Sequence, residues 1–151
     1  MKILATLLLL LLAIGCVDPS DRRPGLRLSG EVVTDPVDDW SFTDRVDEIF
    51  VETATPYLVP HSVTIVCARV DGRLYIGARN PKQKRWVANV GRDSNVRLEI
   101  EDRIYERRLE RVLDPAEREI VYRAYREKFN WKSVPPGERP ELWYFRVVDR
   151  S

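Results

Sequence analysis

The sequence predicts a mainly β (α+β) fold in which six to seven antiparallel strands close into a small barrel with two helices against it. Short stretches of alternating apolar and polar residues recur between positions 28 and 148 and are separated by turn residues, which is typical of antiparallel strands. Two segments, residues 82–90 and 115–129, carry apolar residues at helical spacing instead. At 151 residues the chain has the length of a single domain.

The first two predicted strands are Leu28–Val33 and Asp47–Thr53. In the second strand Ile49 and Val51 alternate with Phe50 and its more polar neighbours, so we expect one face of the strand to be buried. The connection between the strands is rich in Asp and Pro, which favours turns.

The clearest hairpin is Ser62–Arg79, because Asp71-Gly72 is a strong signal for a two-residue turn. This turn predicts four cross-strand pairs: Val70 with Arg73, Ala68 with Tyr75, Val66 with Gly77, and Thr64 with Arg79. One sheet face then carries Ser62, Thr64, Val66, Gly77 and Arg79. Gly77 leaves space where a flat ring could approach the sheet, with hydroxyl groups and a guanidinium at the polar end. Alternatively, Arg79 is a solvated strand end and Gly77 is a bulge.

A short helix is predicted over Lys82–Val90, after Pro81 ends the strand and with Gly91 as the helix cap. Trp86 marks the side that packs on the barrel. Four cations crowd this part of the chain: Arg79, Lys82, Lys84 and Arg85. Cations at a helix start favour binding of an anion, whereas the alternative is a solvated helix face.

The remaining elements are a second hairpin, a longer helix and a last strand. The hairpin joins Val96–Ile100 to Ile104–Val112, and Glu101 is poorly suited to a positive φ, so we expect a three-residue loop or a bulge there. The helix is Pro115–Phe129, with Asp114 as its N-cap. A loop rich in Pro and Gly leads to the last strand, Leu142–Val148.

Residues 1–15 predict a signal peptide. Lys2 precedes the apolar run Ile3–Ile14, which is shorter than the roughly 20 residues that a helix needs to span a bilayer. The run ends in Ala13-Ile14-Gly15-Cys16, which resembles the lipobox of bacterial lipoproteins, where the chain is cut before a cysteine that carries a diacylglycerol. The alternative is an ordinary secretory signal.

The lipobox resemblance implies that Cys16 is lipidated. The residues after it lack apolar periodicity, so we expect residues 16–26 to form a tether and residues 27–149 to form the barrel domain. Several acyl chains together anchor a protein stably. Val17 rather than Asp follows the cysteine. By resemblance to enterobacterial sorting, this implies the cell envelope and, in a Gram-negative cell, the periplasmic face of the outer membrane.

Composition argues against several other functions. Lys2 is the one charged residue of the first 15, so the rest of the chain carries as many basic as acidic residues. Nucleic-acid binding by phosphate neutralisation is therefore not expected. The lone His61 argues against a multi-histidine metal site, and we expect none. With Cys16 acylated, Cys67 is the single thiol, and its apolar neighbours predict a buried side chain.

The middle of the chain carries a family resemblance. The segments Asp71–Tyr75, Arg85–Val90 and Arg92–Leu98 resemble the deazaflavin-dependent nitroreductases and their relatives in the split-barrel superfamily that includes pyridoxamine 5′-phosphate oxidase. The resemblance implies a split barrel in which the sheet face and the basic segment hold an FMN or deazaflavin ring and its phosphate. Relatives in this superfamily often place the pocket between two subunits, so the resemblance leaves both a monomer and a homodimer open.

With the sheet face and the basic segment combined, the candidate cofactor-binding residues are Ser62, Thr64, Arg79, Lys82, Lys84 and Arg85. Two functions remain open. The chain is either a cofactor-free envelope lipoprotein that binds an envelope component or a small ligand, or a membrane-tethered flavin- or deazaflavin-dependent oxidoreductase of the nitroreductase type.

Overall fold

The structure, a computed structural model, describes residues 25–150. The predicted signal peptide, Cys16 and nearly all of the predicted tether lie outside the described residues. Among the helices that are described, none has the length and apolar character needed to cross a membrane.

Between residues 25 and 150 the chain forms seven strands and two α-helices, so the predicted mainly β fold is confirmed. In chain order the elements are β1 Glu31–Val33, β2 Glu48–Thr53, β3 His61–Val70, β4 Arg73–Arg79, α1 Arg85–Arg92, β5 Asn95–Ile100, β6 Arg103–Arg111, α2 Pro115–Phe129 and β7 Leu142–Asp149. Short 3-10 turns lie at Ser41–Arg45, Pro81–Gln83 and Pro136–Glu138.

Strands β2 to β7 form a closed antiparallel barrel. The strand order is β1-β6-β5-β2-β3-β4-β7, and pairing of β6 with β7 closes the ring. Strand β1 lies outside the ring and pairs with β6 in parallel. This strand is shorter than the predicted Leu28–Val33, because the Leu28 N–H donates to the Glu52 carboxylate at 2.6 Å instead of to a neighbouring strand.

Both predicted hairpins have two-residue turns. Asp71 and Gly72 adopt φ values of 48° and 77°, as predicted. The three-residue loop or bulge predicted around Glu101 is wrong, because Glu101 and Asp102 also adopt positive φ values, of 50° and 64°. A turn of this hand matches the twist of the flanking strands, and the sheet imposes it on a residue that disfavours it.

Helix α1 begins and ends later than predicted. Residues 81–83 form a 3-10 turn, so the α-helix begins at Arg85 rather than Lys82. Gly91 lies inside the helix, and Asp93 follows its end with the Asp93 N–H bonded to the Asn89 carbonyl at 2.9 Å. An extended Asp93 therefore replaces the left-handed glycine cap.

The core has two parts. The larger part fills the barrel with apolar side chains from β2 to β7, and Trp86 of α1 joins it. The smaller part lies under α2, where Tyr125 packs against Tyr144 of β7. The two helices thus cover different regions of the barrel surface.

Candidate functional site

The four predicted cations lie on one continuous segment, which we call the cationic segment (residues 79–85). Arg79 ends β4, and Arg85 begins α1. Lys82 and Glu141 form an ion pair, with Nζ to Oε1 at 3.3 Å. Within residues 25–150, Arg79, Lys84 and Arg85 are exposed and make no ion pair. Three cations of the segment are therefore available to an anion.

The backbone of the cationic segment adds donors. No side chain caps the start of α1, and Lys84 at the N-cap position is extended. The first N–H groups of a helix have no partner within the helix, and the helix dipole favours an anion there. The three free cations thus lie within the short segment that leads into an uncapped helix start, and this combination of charge and free N–H groups suits a phosphate or carboxylate.

The structure does not place the two β3 candidates with the cations in the predicted way. Pairing of β3 with β4 ends at Cys67 and Ile76, so the predicted pairs Val66–Gly77 and Thr64–Arg79 do not form. Instead, Thr64 pairs with Phe50 of β2, while Arg79 pairs with Leu142 of β7. The two strands separate because each pairs with a different neighbour beyond this point.

Ser62 and Thr64 differ in their surroundings. The Ser62 side chain is buried, and its hydroxyl donates to the Leu26 carbonyl at 2.5 Å. Thr64 is exposed on the outer face of β3. The Ser62 hydroxyl is therefore used in a hydrogen bond to the N-terminal segment, whereas the exposed Thr64 side chain is accessible to a ligand.

The space predicted beside Gly77 is filled by the chain itself. A β-carbon at position 77 would lie 3.3 Å from the Tyr144 ring and 3.4 Å from the Tyr125 hydroxyl. The two tyrosine rings stack with their centroids 5.5 Å apart. Flat rings do approach the sheet at Gly77, but they are side chains of α2 and β7. The absence of a β-carbon at Gly77 thus favours close packing of these two rings.

Tyr125 links the separated strands. Its hydroxyl lies 3.0 Å from the Val66 carbonyl oxygen and 3.1 Å from the Tyr75 carbonyl oxygen, so its one proton can be donated to either. Burial raises the pKa of Tyr125 well above its usual value and raises the pKa of Tyr144 to about 12. Both phenols are therefore protonated at neutral pH. The Tyr125 hydroxyl is thus always able to donate a hydrogen bond at the point where β3 and β4 separate.

Tyr125→Phe is expected to lower the free energy of unfolding by about 1–3 kcal/mol, because two buried carbonyl groups lose their shared donor. Denaturant unfolding followed by circular dichroism measures the change. Tyr105→Phe is the matched control, since Tyr105 is also buried but makes no hydrogen bond to the described part of the chain through its hydroxyl. Equal losses in the two variants would contradict the role given to the Tyr125 hydroxyl.

A buried ion pair that sequence reasoning missed holds the N-terminal segment on the barrel. Glu52 and Arg97 are cross-strand neighbours, and Arg97 Nη1 donates to Glu52 Oε2 at 2.8 Å. The same nitrogen donates to the Leu28 carbonyl at 3.0 Å. In the sequence, Glu52 and Arg97 are charged residues at outward positions of two predicted strands. The sequence does not show that these two strands, β2 and β5, are neighbours in the sheet, so the ion pair could not be predicted.

The ion pair borders a cleft of about 590 Å³ at the end of the barrel where β2 ends and β3 begins. Its lining includes Leu58 together with three arginines and two acidic residues: Arg27, Arg97, Arg150, Glu52 and Asp93. The cleft thus combines apolar, cationic and acidic surface and lies beside the entry of the N-terminal segment.

No protein-family model and no curated protein matches the chain, but solved structures do. A conserved hypothetical protein of Mycobacterium tuberculosis is 16% identical, with a TM-score of 0.60 over 83% of this chain and 86% of that one. A putative pyridoxamine 5′-phosphate oxidase of Listeria innocua is 11% identical, with a TM-score of 0.57 over 74% and 90%. An F420 reductase is 17% identical, with a TM-score of 0.53 over 78% and 97%. These likenesses show the split-barrel fold.

Proposed function

We propose that the chain is a membrane-anchored oxidoreductase that binds the phosphate of a flavin or deazaflavin at the cationic segment. Two kinds of observation support the proposal. The fold is shared with a putative pyridoxamine 5′-phosphate oxidase and with an F420 reductase. The cationic segment offers free positive charge at an uncapped helix start.

The clustering of three unpaired cations, Arg79, Lys84 and Arg85, ahead of one uncapped helix start carries the proposal. Elsewhere among the described residues some exposed arginines also lack an acidic partner, as Arg103 does, while others are paired. Arg69 Nη2 lies 2.7 Å from Asp44 Oδ2, and Arg139 Nη1 lies 2.6 Å from Glu119 Oε2. A phosphate would supply the missing partner, since charge-assisted hydrogen bonds to phosphate are among the strong ones and arginine makes them in pairs.

The exposed cations of the cationic segment fit the phosphate of the cofactor, but the predicted binding position for its ring is not available. Tyr125 and Tyr144 occupy the space beside Gly77, so the ring would lie elsewhere on the protein. A bound flavin or deazaflavin would supply hydride-transfer chemistry, while the chain binds and orients it. Arg79 and Arg85 would donate hydrogen bonds to phosphate oxygens, and Lys84 would add a further positive charge.

The membrane anchor in this proposal is supported by the lipobox resemblance of Ala13-Ile14-Gly15-Cys16. With a diacylglycerol on Cys16, the barrel would be held at the periplasmic face of the outer membrane in a Gram-negative cell. Substrate reduction would then take place in the cell envelope.

Titration of the full chain with FMN, and separately with a deazaflavin phosphate, tests the phosphate site. We expect saturable binding by the unmodified protein. Arg79→Ala and Arg85→Ala should each weaken it by about 1.5–3 kcal/mol, the range for a hydrogen bond to a charged group. Arg79→Lys should recover part of the loss, because an ammonium group cannot make the two-pronged contact. Cofactor absorbance and fluorescence quenching are the measurements.

Arg103→Ala is the control, since Arg103 is exposed and unpaired among the described residues but begins β6 at the turn after β5. It removes the same charge at a different place. Equal affinities of all the variants would overturn the phosphate site.

A second candidate function is favoured by the filled space beside Gly77. In this alternative the barrel has no cofactor and binds an envelope component or another small ligand. Absence of saturable binding of FMN and of the deazaflavin by the unmodified protein would select it.

A further inference from the structure

The loop between β2 and β3 displays apolar side chains to solvent. Tyr57, Leu58 and Val59 are all exposed, and Leu58 is 93% exposed. Leu26 is also exposed and lies beside the start of β3, because its carbonyl accepts the Ser62 hydroxyl. We call these four residues, Leu26, Tyr57, Leu58 and Val59, the apolar tip.

The loop holds Leu58 outward in a defined conformation. The buried Thr55 side chain donates to the Val59 carbonyl at 2.6 Å, and the Leu58 N–H donates to the Thr55 carbonyl at 3.3 Å. Leu58 itself adopts a φ of 65°, in the left-handed region that a leucine disfavours. Leu58 thus combines an unfavourable backbone conformation with an almost fully solvated apolar side chain. This combination indicates that another surface covers the leucine when the protein is in place.

The position of the chain end indicates that occupant. The described chain begins at Gly25, next to Leu26 of the apolar tip, so the preceding residues join the domain at this place. Nine residue steps separate Cys16 from Gly25, which reach at most about 30 Å when fully extended. A lipid on Cys16 would thus hold the apolar tip close to the bilayer.

Charge next to the tip is also suited to a membrane surface. Arg27 is exposed and, within residues 25–150, without an acidic partner; it lines the same cleft as Leu58. Apolar and aromatic side chains flanked by an arginine are typical of segments that lie at the boundary of headgroups and acyl chains. The arginine can meet headgroup phosphates while the leucine enters the acyl region.

We propose that the apolar tip inserts into the interfacial region of the phospholipid bilayer that carries the Cys16 anchor. The barrel then has one orientation, with the β2–β3 loop toward the lipid. The proposal rests on the proposed membrane anchor, and it adds a second, weaker contact that orients the domain.

A fluorescent label tests the contact in the full, lipidated chain reconstituted into vesicles of phosphatidylcholine and phosphatidylglycerol. Leu58→Cys carries an environment-sensitive nitrobenzoxadiazole label. Ser41→Cys is the control, since Ser41 is exposed near the β3–β4 turn, where the Trp40 N–H donates to the Gly72 carbonyl. The ten-residue strand β3, about 30 Å long, separates this turn from the tip. Cys67 is fully buried and burial raises its pKa, so it should label slowly.

We expect the label at position 58 to shift its emission to shorter wavelength on vesicles and to be quenched several-fold more strongly by lipids with nitroxide on their acyl chains than the label at position 41. Equal quenching at both positions in a chain that floats with the vesicles overturns the tip contact and leaves the anchor standing. A chain that stays in the soluble fraction overturns both. A shift at position 58 that lipid nitroxide does not quench and that grows with protein concentration overturns the proposal in favour of a second copy of the chain.

Discussion

Trp86→Ala is expected to lower the free energy of unfolding by about 3–5 kcal/mol, the range for removal of a large buried aromatic side chain. Trp86 is only 4% exposed and packs against Phe145 of β7, with the ring centroids 5.4 Å apart. This ring contact holds α1, and therefore the end of the cationic segment at Arg85, against the barrel. Denaturant unfolding of the variant and the unmodified protein measures the loss.

A matched control separates packing from helix propensity. Ala88→Gly changes an exposed position on the same helix and should cost only about 1 kcal/mol through helix propensity. A loss below about 1 kcal/mol for Trp86→Ala would contradict the packing of α1 on the barrel. If Trp86→Ala also weakens FMN binding while Ala88→Gly does not, the position of α1 matters for the proposed phosphate site.

Cys16→Ser is expected to abolish membrane retention while the barrel remains folded. The serine cannot form the thioether to a diacylglycerol, and the strands and helices of the barrel all lie within the described residues 25–150, which do not include Cys16. Without this anchor the apolar tip alone presents too little apolar surface to hold the protein on a bilayer. Fractionation of cells into membrane and soluble parts, with circular dichroism of the released chain, measures both effects.

Cys67→Ala is the control for Cys16→Ser. It removes the other cysteine of the chain, which is fully buried in the barrel, and should leave membrane retention intact. A Cys16→Ser chain that still partitions with membranes and is still cut before residue 16 would contradict the lipoprotein assignment.

Local signals predicted most elements of the barrel. Asp71-Gly72 makes the predicted two-residue turn, and the Asp114 carboxylate accepts the Glu117 N–H at 2.9 Å at the start of α2, as predicted for an N-cap. Both outcomes depend on the conformation and hydrogen bonding of adjacent residues. The predictions failed where a turn or a helix end depends on the rest of the barrel rather than on adjacent residues, as at Glu101 and Gly91.

The candidate site divides in the same way. The sequence alone places Arg79, Lys82, Lys84 and Arg85 on one short segment, since they are neighbours along the chain. It could not show that Lys82 has Glu141 as a partner, because the two are brought together only by pairing of β4 with β7. The lipobox resemblance of Cys16 stays a prediction from the sequence.

Short-range signals are enough to predict the strands, the two helices and the β3–β4 turn, because the alternation of apolar residues and the allowed φ values of turn residues are properties of short segments. Three features depend instead on long-range contacts: β3 and β4 separate beyond Cys67, Tyr125 fills the space beside Gly77, and the N-terminal segment lies against Ser62. These contacts join residues 36 to 59 positions apart along the chain. Their partners are selected by packing of the whole barrel, which no local pattern encodes.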